Sequence, residues 1–354
     1  MRKTEMKIFI RCPNWVGDVV MATPVFKCIR QNFPDAHITA GIRKYAYGVI
    51  EDGPWFDSVL FCEDKTLGGF YRTCMDVRSR RFDKAVLLTN SDRAFLIAFL
   101  GGIREIYGYK RNLQKFFIKQ GPVPEIENGK IKAIPMTDYY IEICRKMNLE
   151  LPPVPTPELF VRKELEVKAA EILKKHGISD GDLVIGINPG AKFGSSKCWP
   201  VEYFAKFADM ASERLGAKII VFGGPGEAEI TGRIEALSKG ITINTAKDNA
   251  GLGLSLLKAM IKKCRILVTN DTGPRHYATA FGIYSIVLMG STDPRFVEYG
   301  LDLMSVIRKD LECSPCQQKI CPTGTHECMT SIMPEEVFEE MVEVLNKDSW
   351  VNIH

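Results

Sequence analysis

The sequence lacks the features that mark membrane-spanning and secreted proteins. No apolar run in its 354 residues approaches the roughly 20 residues that a helix needs to cross a bilayer. Residues 1–7 are charged and lead into a short strand, where a secretory signal would have an apolar core. The composition, 45% hydrophobic and 25% charged, is typical of a soluble globular protein. We therefore expect a cytosolic protein.

Two phosphate-binding signatures are also missing. No segment reads G-x-G-x-x-G, which argues against a dinucleotide-dependent dehydrogenase. No segment reads G-x-x-x-x-G-K-[ST], which excludes a phosphate-loop NTPase on motif grounds. If the chain binds a nucleotide, other loops must hold it.

Charge is distributed unevenly along the chain. Residues 1–165 carry 26 Lys and Arg against 19 Asp and Glu, whereas the remainder carries 21 against 24, so a net +7 and a net −3 give the overall +4. A basic first half suggests an anionic partner for that part of the protein. An ordinary solvated surface is the alternative.

Short apolar strands alternate with amphipathic helices along the chain, which indicates βαβ units and parallel sheets. The length favours two domains, and four prolines within residues 152–157 mark a linker between them. We predict an α/β protein with domains at 1–155 and 156–333. The amphipathic helix and tail at 334–354 are predicted to pack back on the first domain.

Ligands of parallel α/β sheets bind at the carboxyl ends of strands, where loops 12–18, 189–198, 223–227 and 271–276 are predicted to lie. The last of these loops abruptly ends an apolar strand at 266–270.

This last loop has the residues of an anion site. Thr272 or Asp271 can cap a helix that has Pro274 in its first turn. Gly273 permits close approach of the backbone, and the following N–H groups face the positive end of the helix dipole. We hypothesise a nucleotide diphosphate here, with an ordinary strand-to-helix turn as the alternative.

Two further side chains could carry chemistry. Asp18 stands at a predicted helix N-terminus, where it is either a helix cap or a general base for an acceptor hydroxyl. Lys197 lies in a loop rich in glycine and serine, where it either neutralises a phosphate or is simply solvated.

Four of the 11 cysteines are clustered near the C-terminus, while the other seven are scattered as reduced thiols would be. We call Cys313, Cys316, Cys321 and Cys328 the four-cysteine cluster. Four thiolates in sixteen residues could hold a tetrahedral structural zinc ion, although the spacing is irregular for a zinc ribbon. Reduced thiols and disulfides are the alternatives.

Three loop motifs together resemble a known family. They are N-W-V-G-D at 14–18, P-G-A-K-F-G-S-S-K-C-W-P at 189–200 and N-D-T-G-P-R-H at 270–276. The chain resembles the ADP-heptose:lipopolysaccharide heptosyltransferases of glycosyltransferase family 9, most of all the heptosyltransferase II members. The resemblance implies a GT-B architecture, in which two Rossmann-like domains face a cleft with the acceptor in the first and ADP-heptose in the second. It also implies direct, inverting transfer of L-glycero-D-manno-heptose to the inner-core heptose of lipopolysaccharide, without a required cofactor.

The resemblance also implies roles for individual residues. Asp18 matches the proposed base and Lys197 the lysine that contacts phosphate. His276 matches a residue of the diphosphate-binding turn, although a core or capping histidine is the alternative at that position. The other donor-binding positions implied are Gly190, Glu227 at the ribose, Leu252 at the adenine, Asp271, Thr272 and Gly273.

The implied acceptor is a Kdo-bearing inner core on lipid A, which would account for the basic first half. Candidate residues for that anionic group are Arg43, Lys44, Lys110, Arg111 and Lys115. We accordingly expect contact with the cytoplasmic face of the inner membrane and no nucleic-acid partner. Two alternatives stay open: a GT-B enzyme with another acceptor or nucleotide sugar, such as an epimerase, and a cysteine-cluster protein that binds nucleic acid.

Overall fold

The structure, a computed structural model, describes residues 5–118, 120–127, 129–224, 226–248 and 252–347. By its contacts the chain divides into two units. The first consists of Met1–Phe160 with Arg295–Tyr299, and the second of Val161–Pro294 with Gly300–His354. The division falls at residue 160, close to the end of the proline-rich stretch.

The first unit contains a five-stranded parallel sheet with the order β3-β2-β1-β4-β5. Its strands are β1 (Lys7–Arg11), β2 (His37–Ile42), β3 (Ser58–Phe61), β4 (Lys84–Leu87) and β5 (Glu105–Gly108). A short antiparallel pair follows, β6 (Ile126–Glu127) with β7 (Lys130–Ile131). The helices are α1 (Val16–Met21), α2 (Thr23–Asn32), α3 (Leu67–Arg80), α4 (Asp92–Leu100) and α5 (Met136–Lys146). Turns of 3₁₀-helix lie at Lys44–Val49 and Asn112–Phe116.

The second unit contains a six-stranded parallel sheet with the order β10-β9-β8-β11-β12-β13. Its strands are β8 (Val184–Asn188), β9 (Lys218–Val221), β10 (Ile241–Asn244), β11 (Ile266–Asn270), β12 (Tyr284–Leu288) and β13 (Met304–Ile307). The helices are α6 (Lys163–Lys175), α7 (Val201–Leu215), α8 (Ala228–Leu237), α9 (Thr245–Asp248), α10 (Leu254–Ile261), α11 (Gly273–Ala280), α12 (Glu327–Thr330) and α13 (Pro334–Asn346). Turns of 3₁₀-helix lie at Ser195–Lys197, Pro294–Phe296 and Leu301–Leu303.

In each sheet the chain forms a central strand first, adds strands outward on one side, and then crosses over to add strands on the other side. Ile8, Phe9 and Ile10 of β1 are fully buried, and every residue of β11 is buried, as expected for strands covered by helices on both faces. The strand order reverses between β1 and β4 in the first unit and between β8 and β11 in the second. Crevices at such reversal points, outside the carboxyl ends of the strands, are where α/β sheets bind ligands.

The C-terminal helix α13 packs against α7 in the second unit. Its apolar residues Val337, Phe338 and Met341 belong to the same buried core as Trp199, whose Nε1 donates to the carbonyl of Ile332 at 2.8 Å. The expectation that this helix packs on the first domain is therefore corrected. The periodicity reveals an apolar face but not its partner. Residues 348–354 of the predicted tail lie outside the described residues.

None of the helices among the described residues is long and apolar enough to cross a membrane.

Shortening a core-facing side chain of α13 tests the packing of this helix in the second unit. Met341 is fully buried in the second unit's core, so Met341→Ala should lower the free energy of unfolding by about 2–5 kcal/mol. Urea titration followed by circular dichroism measures the loss. The matched variant Glu339→Ala, on the exposed side of the same helix, should change stability by less than about 0.5 kcal/mol. Equal effects of the two variants would contradict the placement.

Candidate active site

Asn188 joins the two central strands of the second unit at their carboxyl ends. It is the last residue of β8 and lies beside Thr269 of β11 in the parallel register. Its Nδ2 donates to Thr269 Oγ1 at 3.0 Å and to Thr272 Oγ1 at 2.9 Å. Thr272 stands at the N-cap position of α11, as predicted, but its side chain makes no capping hydrogen bond and accepts from Asn188 instead. The turn after β11 is thus fastened to the neighbouring strand.

Asn270, the last residue of β11, fastens the other loop. Its Oδ1 accepts from the backbone N–H of Trp199 at 3.0 Å, and its Nδ2 donates to the carbonyl of Pro189 at 2.7 Å. Asn270 is completely buried, so both of its polar atoms are satisfied by backbone groups at the two ends of the 189–200 loop. Neither asparagine was predicted as a structural residue from the sequence. An amide at the carboxyl end of an apolar strand is the signal that could have found them.

Asp271 lies between two cations. Its Oδ2 is 2.7 Å from Lys197 Nζ, and its Oδ1 is 3.2 Å from Arg275 Nε. Lys197 Nζ also donates to the backbone carbonyl of Asp271 at 3.1 Å. Burial by itself raises the pKa of Asp271, but the charges of Arg275 and Lys197 and the hydrogen bond from Lys197 lower it to about 2. The structure therefore brings together Lys197 and Asp271, which are 74 residues apart in the chain.

The first turn of α11 adds backbone donors beside this cluster. Gly273 is the first helical residue and Pro274 the second, as the sequence predicts. His276 follows in the same turn and is buried. Burial, and then the charge of Arg275, lower the pKa of His276 well below its usual value, so the imidazole is neutral at pH 7. A neutral imidazole can donate one hydrogen bond and accept one.

Glu227 and Gly190, both predicted donor-binding residues, lie in contact. Glu227 Oε2 accepts from the backbone N–H of Gly224 at 2.7 Å. A Cβ placed on Gly190 would be 1.9 Å from Glu227 Oε1, so only glycine leaves room for the carboxylate in this position. Pro225, in the same loop, lies outside the described residues. Leu252 is buried two residues before α10 begins.

In the first unit, Asp18 lies in the first turn of α1, directly after the loop that follows β1. Its carboxylate is half-buried and is hydrogen-bonded to the hydroxyl of Tyr140 on α5. Tyr140 is only 4% exposed, and burial, together with the nearby Asp18 charge, raises its pKa well above the usual value. Tyr140 therefore donates its proton to this hydrogen bond. Tyr140 was not predicted as a site residue, because nothing in the local sequence connects it with a residue more than 100 positions away.

A buried ionic network holds the loop before Asp18. Asn14 Oδ1 accepts from Arg11 Nη2 at 3.2 Å and from Arg43 Nε at 3.4 Å, and the Tyr45 hydroxyl donates to the Asn14 carbonyl. Both arginines form ion pairs with the buried Asp64, and the pair with Arg11 measures 3.6 Å. Arg43, a predicted acceptor contact, is thus largely buried and already paired with a carboxylate.

The other basic candidates differ in their surroundings. Lys110 and Arg111 follow the carboxyl end of β5, and Arg111 is hydrogen-bonded to Tyr139. The ammonium of Lys115 lies 4.9 Å from the ring centre of Phe116. Lys44 begins the 3₁₀ turn after β2. Their contact with an anionic acceptor stays a prediction.

The cysteines all carry free thiols. The four-cysteine cluster lines one cavity together with Ser196 and Ser291. Burial, and then the other three thiols of the cluster, raise the pKa of Cys328. Within the described residues, no three His, Cys, Asp or Glu side chains are already grouped closely enough to hold a metal ion.

Comparison with known proteins identifies relatives of the whole chain. The family model for glycosyltransferase family 9 (heptosyltransferase) matches residues 71–326. Lipooligosaccharide heptosyltransferase 2 of Campylobacter jejuni is 28% identical over 340 residues, covering 95% of this chain and 98% of that protein.

Two solved structures share the fold. The ADP-heptose heptosyltransferase II of E. coli matches with a TM-score of 0.77 at 23% identity, covering 96% of this chain and 98% of its own. The glycosyltransferase family 9 protein of Veillonella parvula matches with a TM-score of 0.82 at 24% identity, covering 98% of each chain. These likenesses confirm the predicted GT-B fold class, with one parallel sheet in each unit.

Removing the charge of Asp271 tests the ionic cluster. Asp271→Asn should lower the free energy of unfolding at pH 7 by about 3 kcal/mol, because buried Arg275 loses the carboxylate that compensates it. The contribution of the ionised carboxylate is fully present above its unfolded pKa near 3.8 and is lost as pH falls through the folded value of about 2. In urea titrations the difference between the two proteins should therefore shrink between pH 3.8 and 2.

The control is Asp180→Asn, at an exposed position, which should change stability by less than about 0.5 kcal/mol. A loss in Asp271→Asn that is equally large at pH 7 and at pH 2 would show that the effect does not come from the charge.

Proposed function

The chain belongs to glycosyltransferase family 9, and we propose that it transfers L-glycero-D-manno-heptose from ADP-heptose to the inner-core heptose of lipopolysaccharide or lipooligosaccharide, with inversion. One observation carries the proposal. Lys197, Asp271 and the N-terminus of α11 converge at the carboxyl ends of β8 and β11, which is where an α/β sheet binds an anionic nucleotide. The relatives described above support the choice of donor and acceptor.

Lys197 and α11 are proposed to stabilise the leaving group. Cleavage of the bond between the anomeric carbon and the diphosphate leaves negative charge on ADP and cationic character on the sugar. An ammonium has three N–H donors, and Asp271 accepts two of those on Lys197, so one is available for a phosphate oxygen. Backbone N–H groups from Gly273 onward, at the positive end of the helix, supply the remaining stabilisation.

Asp18 is proposed as the general base. Its carboxylate takes the proton from the acceptor hydroxyl while that oxygen forms a bond to the anomeric carbon and the bond to the diphosphate breaks. Attack from the face opposite the leaving ADP inverts the anomeric configuration. The hydrogen bond from Tyr140 favours the ionised carboxylate and fixes its direction, so Tyr140 acts as a positioning residue.

The remaining donor contacts follow the family motif. Glu227 keeps Oε1 available for a ribose hydroxyl, since the backbone N–H of Gly224 bonds to Oε2. Leu252 is proposed to pack against the adenine, and Gly190 provides the space beside Glu227. His276, Thr272 and Gly273 are proposed to contact the diphosphate. The neutral state of His276 suits a hydrogen-bonding role without added charge.

The proposed chemistry draws on the donor substrate and on protein groups, with no catalytic metal or further cofactor. The four-cysteine cluster is proposed to hold a structural zinc ion apart from the reacting atoms. The proposed acceptor carries Kdo and lipid A, whose anionic groups match Lys110, Arg111 and other basic residues of the first unit. We place the protein at the cytoplasmic face of the inner membrane, with peripheral contact, and we propose no nucleic-acid partner.

Measurement of ADP release tests the reaction and its base. Wild-type protein with ADP-heptose and heptosyl-Kdo₂-lipid A should release ADP. Asp18→Asn keeps the shape of the side chain but removes the base, so kcat should fall by about 10²–10⁴-fold while the KM for ADP-heptose stays near the wild-type value.

A variant that keeps nearly the full kcat would overturn the role of Asp18. Turnover only with an acceptor that lacks the first heptose would assign the enzyme to another heptosyl step, and failure of ADP-heptose to bind would refute the donor.

Replacement of Tyr140 tests its positioning role. Tyr140→Phe removes the hydrogen bond that stabilises ionised Asp18, so the acid limb of the pH profile of kcat/KM should move to higher pH by about one unit. Tyr139→Phe is the matched control, because the Tyr139 hydroxyl donates to Asn90 Oδ1 at 3.0 Å. The control should leave the acid limb in place. If the acid limb of the pH profile does not shift in Tyr140→Phe, Tyr140 only packs in the core and does not position Asp18.

A further inference from the structure

The 110–122 loop of the first unit is closed at its base. The backbone N–H of Lys110 donates to the carbonyl of Pro122 at 2.8 Å. A Cβ on Gly121 would lie 2.0 Å from the carbonyl oxygen of Gly108, the last residue of β5, so the returning chain passes as close to the strand as glycine allows. The two ends of the loop therefore meet at the carboxyl end of β5.

Two residues of the loop anchor it to the core. Ile118 is only 2% exposed and belongs to the same buried core as Phe95 of α4. Gln114 is also buried, and its backbone carbonyl accepts from the backbone N–H of Ile118 at 2.9 Å. Residues 115–117, between these two anchors, are all exposed. The loop thus presents its middle to the outside from a packed base.

Exposed aromatic rings gather at this part of the loop. Phe116 is 72% exposed and Phe117 is 54% exposed. The ring centre of Phe117 lies 5.3 Å from that of buried Phe95 and 5.6 Å from that of Phe99, both on α4. Phe99 is itself 49% exposed. We call Phe99, Phe116 and Phe117 the phenylalanine patch.

The exposure of these rings needs a reason outside the packing of the protein. Apolar side chains that lie together on a surface mark sites where another molecule or a membrane binds. Because nearly three quarters of the surface of Phe116 is exposed, packing against its own chain does not account for an aromatic side chain at that position. The patch therefore has the character of a contact surface.

The charges along this stretch of the chain are of one sign. Residues 106–124 contain four basic residues and no acidic residue. The exposed ammonium of Lys115 lies 4.9 Å from the ring centre of Phe116. The nearest acidic residues in the sequence on either side, Glu105 and Glu125, each form an ion pair with a lysine. The phenylalanine patch thus lies on a stretch with a net positive charge.

Apolar rings beside positive charge match the surface of an anionic lipid bilayer. Aromatic side chains bind at the boundary between headgroups and acyl chains, while lysines stay with the anionic headgroups. A specific protein interface has roughly 20–30 residues on each side, many more than this patch offers. Single-stranded nucleic acid stacks its bases on free ring faces, whereas the ring of Phe117 already packs against two others.

We infer that the phenylalanine patch and Lys115 dock the first unit on an anionic lipid bilayer. The exposed rings enter the boundary between headgroups and acyl chains, and the ammonium of Lys115 meets lipid phosphate groups. The inference deepens the proposed function, which gives the protein a peripheral membrane contact without a surface that makes it. It rests on that function only in that the proposed acceptor lies in the same bilayer.

Co-sedimentation with vesicles is the first arm of the test. Full-length protein should bind phosphatidylcholine vesicles that contain about 30% phosphatidylglycerol at least about tenfold more tightly than vesicles of phosphatidylcholine alone. Phe116→Ser should bind the anionic vesicles about tenfold more weakly than wild type, because the apolar ring is lost. The matched variant Leu237→Ser, which removes an exposed apolar side chain at the end of α8, should bind like wild type.

The same assay tests the charge. Lys115→Gln should weaken binding to the anionic vesicles about fivefold and leave binding to phosphatidylcholine vesicles unchanged. The control Lys175→Gln removes an exposed lysine from the end of α6 and should leave both unchanged. Far-ultraviolet circular dichroism and the urea midpoint should be the same for all four variants and wild type, because each replaced side chain is exposed.

ADP release with the acceptor in two forms is the second arm. With the acceptor embedded in anionic vesicles, Phe116→Ser should show a KM for the acceptor about tenfold above that of wild type. With the same acceptor dispersed in a neutral detergent, the variant should match wild type in both kcat and KM. This difference separates docking on the bilayer from a contact with the acceptor itself.

Several results would overturn the inference. They are failure of wild type to bind either kind of vesicle, equal binding of wild type to both, and equal binding of wild type and Phe116→Ser to the anionic vesicles. If Phe116→Ser instead abolishes self-association in gel filtration or binding to a single-stranded oligonucleotide, with vesicle binding unchanged, the patch serves a protein or a nucleic acid.

The two arms separate the possible failures. Vesicle binding that does not depend on Phe116, together with ADP release from the detergent-dispersed acceptor, would refute the docking surface while the proposed function stands. Vesicle binding that depends on Phe116, without ADP release from the acceptor in either form, would refute the proposed function and leave the docking surface in place.

Discussion

The buried carboxylate of Asp271 is the interaction on which the second unit's site depends. A carboxylate buried without partners would be neutral, and a buried guanidinium without a counter-charge would cost several kcal/mol. Asp271 meets both Arg275 from the first turn of α11 and the partly buried Lys197 from the 189–200 loop, so three charges lie together. The arrangement leaves one positive charge in excess, at the end of the sheet where the diphosphate is proposed to bind.

The asparagines at the ends of β8 and β11 explain why that cluster has a defined geometry. Loops at the carboxyl ends of parallel strands leave backbone groups without partners in the sheet, and buried polar groups of this kind must be satisfied. Asn188 and Asn270 satisfy groups of both loops. The same two side chains therefore satisfy polar groups at the end of the sheet and fix the two loops. A substitution at either asparagine would affect both the fold and the geometry of the candidate site.

Sequence patterns predicted what is local and motif-based, and they failed where a partner is distant. The alternation of strands and helices predicted both parallel sheets. The loop motifs assigned Lys197 and the 271–276 turn to one site, and the structure brings Lys197 into contact with Asp271. The partner of α13 and the hydrogen bond from Tyr140 to Asp18 were not predictable. A helical period shows which face of a helix is apolar, and a polar side chain in an apolar segment shows that a hydrogen-bond partner is required. Neither pattern reveals which residue, more than 100 positions away, makes the contact.

The structure changes the interpretation of the basic first half of the chain. Part of the net +7 of residues 1–165 is not available to a ligand, because Arg11 and Arg43 are buried against Asp64 and hold the loop before Asp18. The two arginines and the Asp64 carboxylate form one ionic network beneath that loop. The arginines thus serve the placement of the loop, and the proposed attraction of an anionic acceptor is left to exposed lysines such as Lys44 and Lys115.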